Sequence, residues 1–350
     1  MRIGLLTSVP ETLDAFFPDW VDAWRQAGWA VSPASGPGPG GRAARIPGAA
    51  VIPGITRSPR PASGAAHRHL RDWVTRERLD VVLTSTATAS ALVRTARVGA
   101  PVAYFCHGLH WAGGVSLRTT VPRTLERSLL RATSGVVSLN SEDDAWFSAH
   151  LRDGQPHVRL RAGVGLHLES WPAVPIPDDR TTLRLVWVSE MSARKRPQDA
   201  VAVVRGLRVA GLDVEISMLG DGPLIDQVRH LAGATPGVHV VGRADPRPYL
   251  STAHALLHTG AWEGLPRVAL EAAATGRAVL GYDVKGVRDA PGSVVAGRAG
   301  DVAPLRESVA RWWRSGRLEP RVDRGSLDWR LAHAEVTELL AAVVGRTPGS

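Results

Sequence analysis

Short apolar runs alternate with amphipathic stretches along most of the 350 residues. Residues 79–84, 101–105 and 135–139 are short runs rich in apolar residues, a pattern typical of strands buried on both faces of a parallel sheet. Between such runs lie segments with apolar residues at helical spacing, for example residues 12–27 and 198–211. The repeated strand–helix order predicts an α/β fold with parallel sheets.

The chain is long enough for two domains of ordinary size. Residues 171–179 are rich in proline and lack periodicity, which is typical of a linker. We therefore predict an N-terminal domain over residues 1–171, a linker over 172–180, a C-terminal domain over 181–326 and a returning C-terminal helix within 327–350. Residues 32–64 are rich in Pro, Gly, Ala and Ser and predict a long irregular loop.

The most informative stretch is residues 254–281, which predicts a strand, a loop, a helix and a further strand. Pro266 suits the first position of the helix, and Gly276 suits its end. The start of a helix exposes unpaired N–H groups and the positive end of the helix dipole, so it favours an anion such as a diphosphate. The N–H groups in question belong to Gly264, Leu265, Arg267 and Val268.

Two carboxylates frame this helix: Glu263 in the loop before it and Glu271 on the helix itself. Ionised carboxylates only accept hydrogen bonds, so beside a phosphate site they are suited to sugar hydroxyls. For a single glutamate at such a position, a solvated surface side chain is the alternative, because exposed carboxylates are common.

The pattern Glu263-Gly-Leu-Pro-x4-Glu271, followed by Gly276-Arg-x-Val and by Asp283-x-x-Gly286, resembles the retaining GT-B glycosyltransferases of family 4 (glycosyl transferases group 1). It is most similar to the capsular and exopolysaccharide biosynthesis subgroup. The run from His107 through residues 140–143 to 163–165 resembles the same subgroup. The resemblance implies two facing Rossmann-like domains with an interdomain cleft, which accept a nucleotide-sugar donor.

The resemblance also implies roles for individual residues. Glu271 would accept hydrogen bonds from the ribose and Glu263 from the donor sugar, while His107 would contact that sugar near the reacting centre. The remaining donor-binding positions are Lys195 with Arg194 or Arg196 at the diphosphate, and Gly242 with Arg243 beside the base. Two positions depart from the family pattern: Glu190 stands where relatives commonly carry an arginine, and residues 8–11 read Ser-Val-Pro-Glu instead of a glycine pair.

His107 directly follows a predicted strand, where open α/β sheets bind ligands, although a structural histidine is the alternative there. A metal pair of His107 with His110 would need a third ligand, which we do not identify. Asp143 and Asp144 suit the first turn of a helix capped by Asn140, which explains them without a metal. We therefore predict no cofactor and no divalent metal.

Composition limits the cellular compartment and the kinds of binding partner. Cys106 is the one cysteine, which excludes an internal disulfide and favours a reducing compartment; it follows an apolar strand and is expected to be buried. The net charge of +9 suits nucleic acid, an anionic membrane or an anionic nucleotide substrate. The arginines are spread along the chain and no nucleic-acid module is evident, so we expect no nucleic-acid partner. No segment is apolar enough to span a bilayer.

We therefore predict a cytoplasmic, metal-independent glycosyltransferase that moves a sugar, with retention, from a nucleotide-sugar such as a UDP-sugar to a glycan or lipid-linked acceptor in cell-surface polysaccharide biosynthesis. Peripheral contact with the anionic inner membrane face is expected from the charge. Three alternatives stay open: a glycosyltransferase decorating a small-molecule natural product, a nucleotide-sugar epimerase or glycogen-phosphorylase-like enzyme, and a non-catalytic carbohydrate- or RNA-binding protein.

Overall fold

The computed structural model describes residues 1–57, 64–109, 111 and 117–345. His110, the predicted neighbour of His107, lies outside these residues. The described chain forms two compact units: Met1–Leu160 with the segment from Ala332 onward, and Arg161–Leu331.

The boundary between the units therefore lies before the proline-rich segment 172–180 that the sequence favours as a linker. In the structure this segment is held on the second unit, because the guanidinium of Arg277 donates hydrogen bonds to the carbonyl oxygens of Val174 (3.0 Å) and Pro175 (2.9 Å).

The first unit contains a seven-stranded sheet in the order β3-β2-β1-β4-β5-β6-β7, in which every neighbouring pair is parallel. Its strands are β1 Arg2–Thr7, β2 Ala30–Ser35, β3 Ala50–Val51, β4 Val81–Ser85, β5 Val102–Phe105, β6 Gly135–Ser138 and β7 His157–Arg159. Its helices are α1 Pro10–Phe16, α2 Pro18–Gln26, α3 Gly64–Glu77, α4 Ala87–Ala96, α5 Leu117–Leu129 and α6 Ser141–Ser148.

The sequence predicts one helix over residues 12–27, and the structure has two. The break falls at Phe17, because Pro18 has no N–H to continue the hydrogen-bond ladder and instead begins α2. The apolar spacing is nevertheless correct, since Leu13, Trp20 and Trp24 are all buried.

The second unit contains a six-stranded parallel sheet in the order β10-β9-β8-β11-β12-β13. Its strands are β8 Thr182–Val188, β9 Asp213–Leu219, β10 Val238–Gly242, β11 Ala255–His258, β12 Ala278–Gly281 and β13 Ser293–Val295. Its helices are α7 Pro197–Val209, α8 Ile225–Gly233, α9 Arg247–Thr252, α10 Arg267–Ala274 and α11 Val302–Arg314, and the terminal helix α12 spans Trp329–Gly345.

In the second unit the chain adds β9 and β10 on one side of β8 and then returns to add β11, β12 and β13 on the other side, so the order of the strands reverses between β8 and β11. In a parallel α/β sheet, the loops that leave the carboxyl ends of the strands at such a point form a crevice where ligands bind. Here the loops after β8, β11 and β12 begin at neighbouring strand ends, so residues 189–196, 259–266 and 282–290 meet at one edge of the sheet.

Candidate functional site

Backbone hydrogen bonds tie these three loops of the second unit together. The amide of Ala261 donates to the carbonyl oxygen of Arg194 at 2.8 Å, and the amide of Glu263 donates to that of Lys285 at 3.0 Å. The hydroxyl of Thr259 donates to the carbonyl oxygen of Lys195 at 2.9 Å. The site is therefore assembled by hydrogen bonds to main-chain carbonyl oxygens, which join three loops that are distant from one another in sequence.

The carboxylate of Glu263 lies at the centre of the assembled loops and is almost completely buried. Its Oε1 atom accepts a hydrogen bond from the ammonium group of Lys195 and lies 3.5 Å from Nε2 of His258. Its Oε2 atom accepts from Nη1 of Arg194 at 3.0 Å. An isolated buried carboxylate would be costly, and these basic partners are what allow Glu263 to be ionised there.

The electrostatics of this cluster favour an ionised Glu263. Burial acts to raise the pKa of Glu263, but the hydrogen bond from His258 and the charges of Lys195 and Arg194 outweigh it, and the pKa lies well below its usual range. Burial lowers the pKa of the Lys195 ammonium and the charge of Glu263 opposes this shift. Both groups are thus held in a desolvated setting, where an added anionic ligand interacts more strongly than in water.

Two glycines allow the loops to approach this closely. Gly286 has a φ of +77°, and a Cβ atom there would lie only 2.5 Å from the carbonyl oxygen of Glu263. A Cβ atom at Gly260 would lie 2.7 Å from Cε1 of His258 and 3.0 Å from Oε1 of Glu263. Only glycine fits at these two positions without displacing the Glu263 loop.

The helix α10 begins directly after this loop. Pro266 is the residue that precedes the helix, and the first helical residue is Arg267, one position later than the sequence predicts. The amides of Arg267 and Val268 belong to the first turn of the helix, and Gly264 and Leu265 lie in the loop that leads into it. The positive end of the helix dipole is thus adjacent to Glu263.

Glu271 lies on α10, one turn after Arg267, whose Nε donates to its Oε1 atom at 3.2 Å. Its side chain is largely buried, and burial raises the pKa of Glu271 while Arg267 acts in the opposite direction. The alternative of a fully solvated glutamate on the helix surface does not apply.

Arg194 and Arg196 have different environments, although the sequence treats them as interchangeable. Arg194 contacts Glu263 and places its guanidinium 5.1 Å from the centre of the Trp262 ring. Arg196 has left-handed backbone geometry (φ 50°), and its Nε donates to Asp199 at 2.6 Å. The hydroxyl of Tyr282 donates to the same carboxylate at 2.7 Å, so Arg196 belongs to a separate group.

Two family models of glycosyltransferases match the sequence, and together they account for most of the chain. A model described as a glycosyl transferase 4-like domain matches residues 15–163, and one described as glycosyl transferases group 1 matches residues 182–314. The chain is a glycosyltransferase. A comparison with curated protein sequences finds no match.

Solved structures share the two-unit α/β architecture of this glycosyltransferase. Sucrose-phosphate synthase from Thermosynechococcus elongatus aligns with a TM-score of 0.76 and 15% identity over 99% of this chain and 100% of its own. The lipopolysaccharide outer core galactosyltransferase WaaB gives 0.72 and 14% over 98% and 99%. Anabaena HepE in complex with UDP and glucose gives 0.71 and 16% over 98% and 100%. The GT-B fold class predicted from the sequence is confirmed.

His107 lies in the first unit of the glycosyltransferase, just after β5, which ends at Phe105. Its Nε2 atom lies 2.5 Å from the hydroxyl oxygen of Ser85, at the end of β4. Its ring packs 4.8 Å from that of Phe105 and 5.6 Å from that of Phe16. Burial lowers the pKa of His107 to about 4, so the imidazole is neutral at pH 7. Contact of His107 with a donor sugar stays a prediction.

Gly242 and Arg243 lie at the end of β10. Gly242 is buried with a φ of +85° and its carbonyl oxygen accepts from the amide of Gly220 at 2.7 Å, whereas Arg243 is exposed. Glu190, which departs from the family pattern, is also exposed. The position of Gly242 and Arg243 beside the nucleotide base stays a prediction.

The aspartates 143 and 144 are both held by protein groups of the first unit. Asn140 caps α6 by accepting from the amide of Asp143 at 2.9 Å, and Asp144 lies 3.1 Å from Nε2 of His157. Within the described ranges, no cluster of three or more His, Cys, Asp or Glu side chains is arranged to hold a metal ion. Among the same residues, no helix combines the length and the hydrophobicity needed to cross a bilayer.

His258 is the residue of this site that sequence reasoning missed. The stretch 254–281 is predicted to begin with a strand, and the structure confirms the strand but ends it with a buried imidazole beside Glu263. A polar residue at the carboxyl end of a buried strand next to the reversal of strand order is the signal that could have identified it.

Proposed function

We propose that this glycosyltransferase transfers a sugar from a UDP-sugar, with retention of anomeric configuration, and that the second unit binds the donor. One observation carries the proposal: the ionised Glu263 is held by Lys195 and Arg194 directly before the positive end of α10, and Glu271 lies on that helix. This places groups that stabilise anions next to groups that accept hydrogen bonds from sugar hydroxyls.

The charges of the site favour a diphosphate. Lys195 and Arg194 carry two positive charges against the single negative charge of Glu263, and the start of α10 adds a partial positive charge. When the bond between the sugar and the diphosphate breaks, negative charge develops on the leaving group. Fixed positive groups in a desolvated site stabilise that charge, which is often the largest contribution to catalysis.

The carboxylate of Glu263 retains the capacity to bind a sugar. A carboxylate offers about four lone-pair positions, of which Lys195, His258 and Arg194 use three. The remaining position suits one donor hydroxyl. Glu271, four residues into α10, would accept hydrogen bonds from the ribose, with Arg267 holding its carboxylate in place.

We propose that the reaction needs no divalent metal, because protein groups supply the positive charge at the diphosphate. Lys195 and Arg194 are both within hydrogen-bond reach of Glu263 and so lie where the leaving group would be neutralised. Arg196 is excluded from this role in the proposal, since Asp199 already pairs with it.

For the acceptor we propose a glycan or lipid-linked saccharide in cell-surface polysaccharide assembly. The net charge of +9 suits an enzyme that meets its acceptor at an anionic membrane, and the similar WaaB is described as a lipopolysaccharide outer core galactosyltransferase. HepE, which is also similar, has been solved in complex with UDP-glucose.

The test is a panel of UDP-, GDP- and ADP-sugars offered to the purified enzyme in the presence of lipid-linked saccharide acceptors. We expect release of UDP from one UDP-sugar and, by NMR, a product with the anomeric configuration of the donor. Release of UDP with an inverted product would overturn the retaining mechanism. The absence of binding and turnover with every nucleotide-sugar would overturn the proposal as a whole.

A further inference from the structure

The helix α5 of the first unit exposes two large aliphatic side chains on one face. Val121 is 73% and Leu125 52% exposed, and the two residues are four positions apart, so they lie side by side along the helix. In the described part of the chain, they are the only neighbouring pair among the exposed large hydrophobic residues.

A basic cavity lies along the same helix. It has a volume of about 330 Å³ and is lined by Thr124, Arg127, Ser128, Leu130, Arg131, His150, Arg152 and Gln155, with no acid among them. The acid of α5, Glu126, does not offset this charge at the surface, because it pairs at 2.5 Å with the buried Arg94. Asp153, next to Arg152, is exposed, so the surface retains a net positive charge of about two.

We propose that the surface formed by the aliphatic pair Val121 and Leu125 of α5, by Arg127 further round the helix and by Arg131 in the turn that follows it docks on an anionic lipid surface. Aliphatic residues next to basic ones on a helix are the combination that binds the interface of a bilayer, with the aliphatic groups in the headgroup layer and the cations against lipid phosphates. This inference rests on the proposed function in one respect: a lipid-linked acceptor would be met at that surface.

The second unit supplies a matched control surface. A cavity of about 330 Å³ on the second unit matches the first in volume, and the residues that line it include Arg306, Glu307, Arg311 and Arg314. Its net charge is also about plus two, but it has one exposed aliphatic residue, Val209, instead of a pair. If charge alone decided binding, the two surfaces would contribute equally.

The experiment is co-sedimentation of the full-length protein with vesicles of pure phosphatidylcholine or with 30% phosphatidylglycerol added. Binding is expected only to the anionic vesicles. The double variant Arg127→Gln/Arg131→Gln should weaken it about thirtyfold, and Val121→Ser/Leu125→Ser about tenfold or more. The control variants Arg306→Gln/Arg311→Gln and Val209→Ser should bind as the parent does.

Equal weakening by the two arginine pairs would overturn the assignment to α5, and so would binding that is indifferent to Val121 and Leu125. Affinity for UDP, measured on the same variants, separates this inference from the proposed function. A variant that loses vesicles but retains UDP supports the docking surface, whereas loss of both indicates misfolding, which near-ultraviolet circular dichroism would reveal. If the serine variant misfolds, the milder variant Val121→Ala/Leu125→Ala replaces it. An intact fold with vesicle binding equal to that of the parent would then overturn the proposed docking surface.

A second, independent observation concerns His258. The amide of Gly260 donates to its Nδ1 atom at 3.3 Å, so Nδ1 is the unprotonated nitrogen and Nε2 carries the hydrogen that faces Oε1 of Glu263. Glycine at position 260 leaves room for the imidazole and the carboxylate to face each other, because a Cβ atom there would lie 2.7 Å from Cε1 of His258 and 3.0 Å from Oε1 of Glu263.

We infer that His258 is a positioning residue that orients the Glu263 carboxylate in the proposed donor site. With Nε2 facing Oε1 at 3.5 Å, it sets the plane of the carboxylate and thereby which lone pair of Oε2 is available to a sugar hydroxyl. The readout that separates this role from a structural one is a comparison of kcat with KM and with UDP affinity, because UDP lacks the sugar that Glu263 would hold.

His258→Asn retains an acceptor near the Nδ1 position and removes the donor, whereas His258→Gln retains a donor near the Nε2 position. We expect kcat to fall at least tenfold in His258→Asn with UDP affinity unchanged, and to recover in large part in His258→Gln. An unchanged kcat in His258→Asn would overturn the role, as would equal losses of kcat and UDP affinity in both variants. Failure of UDP to bind the parent protein would instead overturn the proposed function.

Discussion

Lys195 donates a hydrogen bond to the Glu263 carboxylate from a loop that lies 68 residues earlier in the sequence. The chain contains two lysines against 40 arginines, and the other, Lys285, accepts the amide of Glu263 on its carbonyl oxygen. Both lysines of an arginine-rich protein therefore contact Glu263, Lys195 at its carboxylate and Lys285 at its main-chain amide.

The first prediction concerns the charge of Lys195. Replacement by methionine should lower turnover by two to three orders of magnitude, since a cation about 4 Å from an anion is worth about 4 kcal/mol at an effective dielectric near 20. Lys195→Arg, which keeps the charge, should retain much more activity. Steady-state kinetics with a UDP-sugar measures both variants, and a fully active Lys195→Met would remove this residue from the mechanism.

The second prediction concerns Glu271. Glu271→Ala should weaken UDP binding by about 1.5–3 kcal/mol, the range of a hydrogen bond to a charged group. Glu307→Ala, on the exposed surface of α11, is the control and should bind UDP as the parent does. Calorimetry supplies the affinities. Equal affinity of Glu271→Ala and parent would mean that this carboxylate serves only to hold Arg267.

A third prediction addresses the metal. Turnover should persist in excess EDTA, and added magnesium should not rescue Lys195→Met, because the proposal assigns the neutralisation of the diphosphate to protein groups. The comparison requires the same enzyme preparation with EDTA, with magnesium and with neither. Turnover that disappears in EDTA and returns with magnesium contradicts the metal-free mechanism.

The fourth prediction concerns the pH dependence of stability through His107. Burial lowers its pKa to about 4, below the ordinary value of 6.5, so the unfolded chain binds a proton that the native protein does not. The free energy of unfolding should therefore decrease as the pH falls from 6.5 towards 4, with about 2 kcal/mol from this group by pH 5. Urea unfolding at pH 7 and pH 5 should show a smaller loss in His107→Asn. An identical loss in both proteins would assign the acid sensitivity to other groups.

The last stability prediction concerns Arg277, whose buried guanidinium donates to backbone carbonyls of Val174, Pro175, Leu250 and Ser251. Arg277→Met should lower the free energy of unfolding by about 3 kcal/mol or more, since it leaves buried acceptors unpaired. Arg229→Met, at an exposed position of α8, should change it by less than about 0.5 kcal/mol. If urea unfolding gives comparable effects for the two substitutions, water must hydrogen-bond to the carbonyl oxygens that Arg277 no longer reaches.

Periodicity predicted most of the fold because the parallel strands are short and continuously apolar. The strands predicted over residues 101–105 and 135–139 match β5 Val102–Phe105 and β6 Gly135–Ser138 closely. The errors lie where one residue overrides the pattern, as Pro18 does when it divides a single predicted helix into two. The proline-rich segment after residue 171 is predicted to be a linker, and the pattern gives no sign of its anchor, because Arg277 is about 100 residues away.

The site is less predictable than the fold for the same reason. Glu263 and Glu271 are recognisable because their spacing is local to one loop and one helix. Arg194 and Arg196 are equivalent in the sequence, and they differ only because Asp199 and the distant Tyr282 form a group around Arg196. His258 looks like the end of an apolar strand until the fold brings Glu263 against it.

The central claim is that the loops around Glu263 bind a nucleoside diphosphate through Lys195. The most direct test is a calorimetric titration of the parent protein and Lys195→Met with UDP and with uridine. UDP should bind the parent at least about a hundredfold more tightly than uridine, a difference of about 2.7 kcal/mol, and this ratio should shrink in Lys195→Met while uridine affinity stays constant. Equal affinities for UDP and uridine, or a ratio that Lys195→Met leaves unchanged, would contradict the claim.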